Sequence, residues 1–206
     1  MIFRLFDIIL LIFLVPIIAP IFIIIFIFLN FKIGKPVFFI QKRSGYKGLE
    51  FKLYKFRTMA ILNTNQKIEK LDEKSYAANE SKRVLSATKF LRKTRLDELP
   101  QLINILKNDI SFVGPRPLLM EYNSLYNEEQ KKRLNVKPGI TGWSQINGGS
   151  LITWKKKFEL DVWYIQNRSL YLNFKIILLT AVYFVKKLFD KNDDEIYLHE
   201  KFNGNN

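Results

Sequence analysis

The sequence predicts a membrane-associated α+β protein that is mostly helical and contains a small β-hairpin. Two features predict this class: a long apolar run near the N-terminus, and helical periodicity that resumes after a short β-prone stretch. We expect a membrane-embedded helix at residues 1–31, either re-entrant or crossing once, a globular domain with interfacial amphipathic helices at 32–190, and a polar C-terminal tail at 191–206. With 206 residues, the chain is long enough for one domain with its own core.

The apolar run covers residues 8–29, which include no charged side chain. As a straight helix it would be about 33 Å long, enough to cross the hydrocarbon of a bilayer. Pro16 and Pro20 interrupt the run, and each removes a backbone donor, so we expect a break or kink with Pro20 as the membrane break. Two paths stay open: a single-pass anchor, or a bent segment that returns to the same face.

The flanking charges predict which side of the membrane the following residues occupy. Residues 30–60 carry eight Lys or Arg against one Glu, which favours the cytoplasmic side under the positive-inside rule. The apolar run is too long for a cleaved signal peptide, and no small-residue cleavage site follows it.

Composition limits the chemistry that the chain can perform. The formal net charge is +14, which predicts contact with polyanions such as nucleic acid, anionic lipid headgroups or phosphorylated substrates. The absence of Cys excludes disulfides and thiolate metal sites. The one histidine, His199, lies in the polar tail, so neither a His-based triad nor a His-rich metal site is expected.

A β-hairpin is predicted directly after the membrane segment. Residues 36–40 form a short apolar run, residues 44–48 supply turn chemistry with two glycines, and residues 51–59 alternate between apolar and polar. Residues 60–88 are polar with weak periodicity, and we interpret them as a mobile or loosely helical excursion.

Helical periodicity resumes near residue 90. Four residues share one helix face through i, i+3, i+4 and i+7 spacing: Leu99, Leu102, Ile103 and Leu106. Asp97 and Pro100 mark the start of this helix. We expect constrained loops at residues 113–117 and 138–143, with a polar helix at 121–134 between them.

Two further helices are predicted near the end of the chain. The first has an apolar face formed by Trp154, Phe158, Val162 and Ile165. The second covers residues 170–189 and is apolar apart from a few polar and lysine side chains. It fits either a buried helix or a helix lying in the headgroup plane with its lysines reaching toward water.

The adjacent acids Asp97 and Glu98 carry the chemical interest, and two readings stay open. Asp is a favourable N-cap and Glu in a first turn favours the helix dipole. Alternatively the pair holds a metal and attacks a phosphate, because basic residues surround it in the motifs: Arg92, Arg95, Arg116, Lys55 and Arg57. A helix N-terminus with convergent arginines binds a diphosphate, since N–H groups and guanidinium groups both donate to phosphate oxygens.

In this second reading each acid has its own role. Glu98 is a hard oxygen ligand suited to Mg²⁺, which would bridge the phosphates. Asp97 is a competent nucleophile toward phosphorus once cations neutralise the substrate's charge.

Four motifs in this order and spacing resemble the bacterial sugar transferase family, the monotopic phosphoglycosyl transferases that begin glycoconjugate assembly. They are KFRTM at residues 55–59, LDELPQL at 96–102, SFVGPRP at 111–117 and KPGITGW at 137–143. The resemblance covers nearly the whole chain. It implies that residues 32–190 form a catalytic sugar transferase domain.

The resemblance also implies a role for individual residues. Asp97 matches the family's nucleophile, which attacks the β-phosphorus of a UDP-sugar, releases UMP and carries the phosphosugar as an acyl phosphate. Undecaprenyl phosphate then accepts the phosphosugar. Glu98 matches the Mg²⁺-associated partner, and Arg92 and Arg116 match basic residues close to the phosphates.

The implied location is the bacterial inner (cytoplasmic) membrane, with the catalytic domain facing the cytoplasm and in contact with anionic lipids. The family's re-entrant helix breaks at a Ser-Pro pair, for which this chain has Ala19-Pro20. Two other departures concern substrate recognition: Gly149 stands where the family often has Arg, and Asn173 stands where it has an acid. Neither affects the nucleophile.

Four segments are similar to the family members that begin bacterial N-linked glycans: residues 121–122, 126–131, 157–162 and 200–204. This similarity implies UDP-N,N′-diacetylbacillosamine, or a related UDP-N-acetylated sugar, as the donor. A hexose-1-phosphate transferase for capsule or O-antigen, using UDP-glucose or UDP-galactose, stays open.

An alternative from another class is a non-catalytic, membrane-attached basic module that binds anionic lipid or nucleic acid. It accounts for the charge and the apolar run but leaves the acidic pair and the Gly-Pro-Arg-Pro loop unexplained. We therefore expect an enzyme and no nucleic-acid partner. The sequence leaves the oligomeric state open.

Overall fold

The computed structural model describes residues 1–60, 84–189 and 201–205. Within these ranges the protein combines helices with two small β-pairs, and helix predominates, as predicted. Most of the excursion predicted at 60–88, most of the tail predicted at 191–206, and His199 lie outside the described residues.

Helix α1 spans Ile2–Ile33 and is, within the described part of the chain, the one helix long and apolar enough to cross a membrane. Its 32 residues correspond to a length of about 48 Å. The helix continues through Pro16 and Pro20, so the structure does not show the break predicted at Pro20. Most of its apolar side chains are exposed, which leaves a surface suited to lipid.

The predicted hairpin is confirmed. Strand β1 (Phe38–Ser44) pairs antiparallel with β2 (Glu50–Phe56), and a 3-10 turn at Tyr46–Gly48 connects them. The pairing runs from Phe38 opposite Phe56 to Ser44 opposite Glu50.

Helix α2 (Lys89–Lys93) precedes the acidic pair and helix α3 (Gln101–Leu106) follows it. Asn104 docks α3 on β2: its Nδ2 donates to the Lys52 carbonyl at 2.7 Å, and its Oδ1 accepts from the Tyr54 N–H at 3.1 Å. This polar contact makes Asn104 part of the buried face. The predicted apolar face is only partly buried: Leu99 and Leu102 pack against the core, whereas Ile103 and Leu106 are 40% and 69% exposed.

The two constrained loops predicted from the sequence pack against each other. Strand β3 (Ser111–Val113) runs parallel to β4 (Gly139–Thr141), a pairing that the sequence did not indicate. A Cβ on Gly114 would lie 2.4 Å from the Lys137 carbonyl oxygen, so this close backbone approach requires glycine.

The single polar helix predicted at residues 121–134 is wrong. A short helix α4 (Glu128–Lys131) lies between 3-10 turns at Met120–Ser124 and Lys132–Asn135. Asn127 and Gln130 form a capping box that starts α4 as a new helix, which explains the interruption.

Helices α5 (Trp143–Ile146), α6 (Trp154–Gln166) and α7 (Leu170–Phe189) complete the domain. Phe158 and Val162 are buried on α6, as its periodicity predicted. Helix α7 buries one face and is not enclosed. Its other face exposes apolar side chains, among them Tyr171, Phe174, Leu178 and Val182.

Both ends of α1 pack on the same domain. Leu11 belongs to a cluster with residues of α3, β3, α6 and α7, whereas Ile25 and Leu29 pack with residues beside and within the hairpin and α2. Polar contacts add to both ends. The Phe112 N–H donates to Asp7 Oδ1 at 3.0 Å near the start, and Arg57 Nη2 donates to the Gly34 carbonyl at 2.7 Å just past the end.

Candidate active site

Asp97 and Glu98 lie in a 3-10 turn, Leu96–Glu98, between α2 and α3. Arg95 starts this turn in the left-handed conformation (φ 56°, ψ 15°), which redirects the chain after α2. The predicted N-cap role of Asp97 is wrong, because Pro100 occupies the N-cap position of α3 and no side chain caps it. Both carboxylates are nevertheless buried, with 9% and 7% of their surface exposed.

Three cationic side chains bind one carboxylate oxygen of Glu98. Its Oε1 accepts from Lys55 Nζ at 2.9 Å, from Arg116 Nη2 at 3.1 Å and from Arg95 Nη1 at 3.4 Å. Burial alone would raise the pKa of Glu98, but these three charges lower it well below the ordinary glutamate value. Glu98 is therefore a permanent anion that ties together β2, the 3-10 turn and the loop after β3.

Asp97 has the opposite character. Burial raises the pKa of its carboxyl to about 6, and the neighbouring charge of Glu98 adds to the rise against the pull of nearby cations. Its Oδ1 is buried and accepts no hydrogen bond from the residues that the structure describes. A buried oxygen without a donor is costly, so this atom is suited to bind a ligand or to react.

The structure brings some predicted site residues together and leaves others apart. Lys55, Arg95 and Arg116 converge on Glu98, as the basic context suggested. Arg92 lies in α2, close enough for its charge to lower the pKa of Asp97. Arg57 instead donates to the Ile33 and Gly34 carbonyls at the end of α1, so its contacts are with the membrane helix.

Arg43 lies beside the candidate site, and the sequence analysis did not predict it as a site residue. Its Nη2 donates to Gln41 Oε1 at 2.7 Å and its Nη1 lies 3.5 Å from the Pro117 carbonyl. Burial lowers the pKa of Arg43 to about 10, and the charge of Arg116 contributes. No described carboxylate lies within ion-pair distance of this guanidinium.

The hairpin register could have revealed Arg43. Residues 39, 41 and 43 alternate onto one face, and Phe39 pairs with Lys55. Arg43 and Lys55 therefore share the face of the hairpin that carries the site.

Arg133 and Asp161, which the sequence did not indicate, hold the backbone of Arg116. Arg133 Nη2 donates to the Arg116 carbonyl at 2.8 Å and also bonds Asp161 Oδ2 at 3.0 Å. Arg133 and Asp161 are both buried, and their charges neutralise each other. Sequence spacing gives no signal for this pair, because its members lie 28 residues apart on different elements.

Gly149 and Asn173, the two residues that depart from the family pattern, differ in their surroundings. Gly149 lies in the turn after α5 with φ +52°. Asn173 is fully buried on α7, where its Oδ1 accepts from the Tyr164 hydroxyl at 2.8 Å. Asn173 is therefore a core residue in this chain.

Taken together, the described residues form an anion-binding centre with an available carboxylate. Lys55, Arg95, Arg116 and Arg43 supply four positive charges against the two acids, which leaves a surplus for phosphate oxygens. Such a surplus beside a carboxylate with a raised pKa suits phosphoryl transfer through a covalent intermediate.

Comparison with known proteins identifies relatives over most of the chain. Residues 1–187 match the family described as Bacterial sugar transferase. The chain is 49% identical over 178 residues to "Uncharacterized sugar transferase EpsL" of Bacillus subtilis (strain 168), covering 86% of this chain and 84% of that protein.

Two longer relatives carry named activities. The "UDP-glucose:undecaprenyl-phosphate glucose-1-phosphate transferase" of Xanthomonas campestris pv. campestris is 42% identical over 159 residues, which is 71% of this chain and 31% of that protein. The "Undecaprenyl-phosphate galactose phosphotransferase" of Salmonella typhimurium is 34% identical over 191 residues, covering 86% and 39% respectively. The chain thus spans 31% and 39% of the length of these two relatives.

Proposed function

The chain belongs to the bacterial sugar transferase family, and on that premise we propose that it transfers a sugar 1-phosphate from a UDP-sugar to undecaprenyl phosphate, releasing UMP. The observation that carries the proposal is the contrast within the acidic pair. Glu98 is held as an anion by three cations, while a buried oxygen of Asp97 has no donor among the described residues.

The proposed reaction proceeds in two displacements at one phosphorus atom. An Asp97 oxygen forms a bond to the β-phosphorus of the donor, and the bond from that phosphorus to the bridging oxygen breaks, so that UMP leaves with the bonding electrons. A phosphate oxygen of undecaprenyl phosphate then attacks the same phosphorus and displaces the Asp97 carboxylate. The cations around Glu98 stabilise the charge that develops on the phosphate oxygens in both steps.

Arg43 extends this phosphate site in our proposal. Arg116 already shares Glu98 with two other cations, whereas Arg43 has no carboxylate partner among the described residues. A diphosphate bound between the two guanidinium groups would relieve their mutual repulsion. Arg43 therefore contributes to donor binding alongside Lys55, Arg95 and Arg116.

We propose Mg²⁺ as the cofactor. The described residues contain no cluster of three metal-binding side chains, which fits an ion that relies on one or two carboxylates and on substrate phosphates. Glu98, with Asp97 beside it, would hold the ion, and the bound ion would neutralise charge on the transferring phosphoryl group. The unpartnered Oδ1 of Asp97 supports this fit.

Two donor classes remain within the proposal. The names of the Xanthomonas and Salmonella relatives specify glucose 1-phosphate and galactose transfer, which favours UDP-glucose or UDP-galactose. The similarity of residues 200–204 and three other segments to N-linked glycan enzymes supports UDP-N,N′-diacetylbacillosamine. The hexose donors are the first choice because chains related over most of this sequence carry those names.

We further propose that α1 re-enters the membrane and keeps both of its ends on the cytoplasmic side of the inner membrane. A straight crossing would separate the ends by about 48 Å on opposite faces of the bilayer. Contacts of Asp7 with β3 and of Gly34 with Arg57 instead hold both ends on one domain. Pro16 and Pro20 permit a bend between these contacts without ending the helix.

The exposed apolar face of α7 supports an interfacial position for the domain. Tyr171, Phe174 and Leu178 face outward beside exposed lysines, as expected for a helix in the headgroup layer. Basic residues after α1 would add attraction to anionic lipids of on the order of 1 kcal/mol each.

The test is an assay of UMP release from a panel of UDP-sugars with detergent-solubilised undecaprenyl phosphate and Mg²⁺. We expect UMP release with one donor class and none from the Asp97→Asn variant. Release of UMP by Asp97→Asn at the unmodified rate would reject the nucleophile, and no release from any donor by the unmodified chain would reject the function.

A further inference from the structure

Residues 201–205, close to the C-terminal end of the sequence, return to the domain and bury one aromatic side chain. Phe202 is 2% exposed. It packs among four rings with centroid separations of 4.9 to 5.9 Å: Phe158, Tyr122, Trp154 and Tyr126. We call these five residues the aromatic cluster. These residues belong to the segment that the sequence predicts to be a polar tail.

Two rings of the aromatic cluster lie against Arg133. The Arg133 guanidinium lies 5.6 Å from the ring of Tyr126 and 5.5 Å from the ring of Phe158, and its Nη1 donates to the Tyr126 hydroxyl at 3.0 Å. Phe202 contacts both of those rings. Phe202 therefore packs against both of the rings that lie against the Arg133 guanidinium.

Hydrogen bonds to Asp161 and to the Arg116 carbonyl also hold the Arg133 guanidinium in place. Asp161 accepts two of its hydrogen bonds and receives a third from the Ser144 hydroxyl at 2.7 Å. A further N–H of Nη2 donates to the Arg116 carbonyl. A buried guanidinium with all of these partners has little freedom to move, because any shift leaves a charged donor unsatisfied.

A continuous series of contacts thus joins the C-terminal segment to the candidate active site. It runs from the Phe202 ring through Tyr126 and Arg133 to the Arg116 carbonyl, and Arg116 Nη2 reaches Glu98 at 3.1 Å. Arg116 lies between two prolines, which restrict the backbone of this loop on both sides of it.

We propose that residues 201–205 act as a C-terminal clamp and that Phe202 is a positioning residue for Arg116. By closing the aromatic cluster, Phe202 fixes Arg133, and Arg133 fixes the loop that presents Arg116 to Glu98 and to the donor phosphates. This inference rests on the proposed function, because it concerns the rate of the same reaction.

The clamp predicts an effect on turnover that exceeds any effect on donor affinity. A displacement of about 1 Å in a group that orients phosphate costs up to about 100-fold in rate. We expect Phe202→Ala to lower kcat for UMP release by about tenfold to 100-fold with a smaller change in KM. Phe202→Tyr, which keeps the ring, should retain most of the activity. Asn205→Ala, which alters an exposed side chain of the same segment, is the matched control and should leave kcat unchanged.

Tyr126→Phe separates positioning from packing. This variant keeps the ring and removes only the hydroxyl that accepts from Arg133. We expect it to lower kcat in the same direction as Phe202→Ala while its circular dichroism matches that of the unmodified protein. It also provides the test if Phe202→Ala does not fold.

A double-variant comparison addresses the route through Arg116. If the clamp acts on Arg116, Phe202→Ala should lower kcat by less than about threefold in an Arg116→Lys background, because coupled residues are not additive. Full kcat in Phe202→Ala or Tyr126→Phe, or multiplication of the two single effects in the double variant, would overturn the clamp. If the unmodified chain releases no UMP from any donor, it is the proposed function that fails.

Discussion

Replacing Arg43 with glutamine is expected to weaken donor binding without destabilising the protein. The Arg43 guanidinium lies beside Arg116 and has no carboxylate partner among the described residues. Most substitutions of partly buried arginines lower the free energy of unfolding, because they remove a satisfied ion pair. Arg43 should behave differently, since its charge is held in place for a ligand.

The effect on stability follows from the pKa of Arg43, which burial and Arg116 lower to about 10. Each pKa unit corresponds to about 1.4 kcal/mol, so the charged form carries a penalty of about 3 kcal/mol. The hydrogen bonds to Gln41 and Pro117 offset about 1 kcal/mol each. We therefore expect Arg43→Gln to change the free energy of unfolding by between 0 and about +1 kcal/mol.

Arg43→Gln should weaken the binding of the donor, although it leaves the folded protein equally or slightly more stable. A hydrogen bond between a charged donor and phosphate contributes about 1.5–3 kcal/mol. Its loss should raise the Kd for UMP and the KM for the UDP-sugar by about tenfold to 100-fold. The KM for undecaprenyl phosphate is a separate readout that shows whether the acceptor uses the same contact.

The assay combines urea unfolding in detergent with UMP titration and initial-rate kinetics. Lys42→Gln is the matched control, because Lys42 lies next in the strand, pairs with Glu50 at the surface and has 67% of its side chain exposed. Unchanged UMP affinity in Arg43→Gln, or unfolding at a clearly lower urea concentration than the control, would refute this reasoning.

Three further predictions concern the acidic pair. Glu98→Gln should lower the free energy of unfolding by about 2 kcal/mol in urea titrations. Breaking a fully buried ion pair costs about 3–5 kcal/mol, and we expect less here because the Arg95 and Arg116 side chains are 35% and 39% exposed. A Glu98→Gln variant as stable as the unmodified protein would contradict the role of its three ion contacts. UMP release at limiting donor should fall as pH drops through about 6, because protonation of Asp97 removes the nucleophile; a flat profile down to pH 5 would argue against it. Chelation of Mg²⁺ with EDTA should stop UMP release, and added Mg²⁺ should restore it; full activity in EDTA would exclude the proposed cofactor.

The elements that depend on local pattern could be predicted from the sequence. The alternation at residues 51–59 and the periodicity from Trp154 to Ile165 gave the hairpin and α6 in their correct places. The polar stretch at 121–134 failed because Asn127 and Gln130 start a new helix within it, and capping competes with periodicity over so few residues.

Contacts between distant segments could not be predicted in the same way. Strands β3 and β4 have three residues each, too few for a periodic signal, and their parallel pairing depends on the close approach that Gly114 permits. Asn104 lies on the buried side of α3 because it bonds the β2 backbone, and apolar periodicity does not indicate a polar residue there.

The candidate site also contains both kinds of residue: some stand in local motifs, and others depend on contacts between distant segments. Asp97, Glu98, Lys55 and Arg116 stand in recognisable motifs, and the structure places the last three in contact. Arg43 and Arg133 are at least partly buried and contact the Pro117 and Arg116 carbonyls, which lie 74 and 17 residues away, and no local pattern indicates such contacts.

The most direct test of the account is to look for the covalent intermediate itself. The purified protein would be incubated with Mg²⁺ and a donor carrying a radiolabelled sugar, without undecaprenyl phosphate, then quenched and digested for mass spectrometry. We predict that label and phosphosugar mass appear on the peptide containing Asp97, that undecaprenyl phosphate removes them, and that Asp97→Asn carries neither. UMP release without any modified peptide, and only when both substrates are present, would contradict the account.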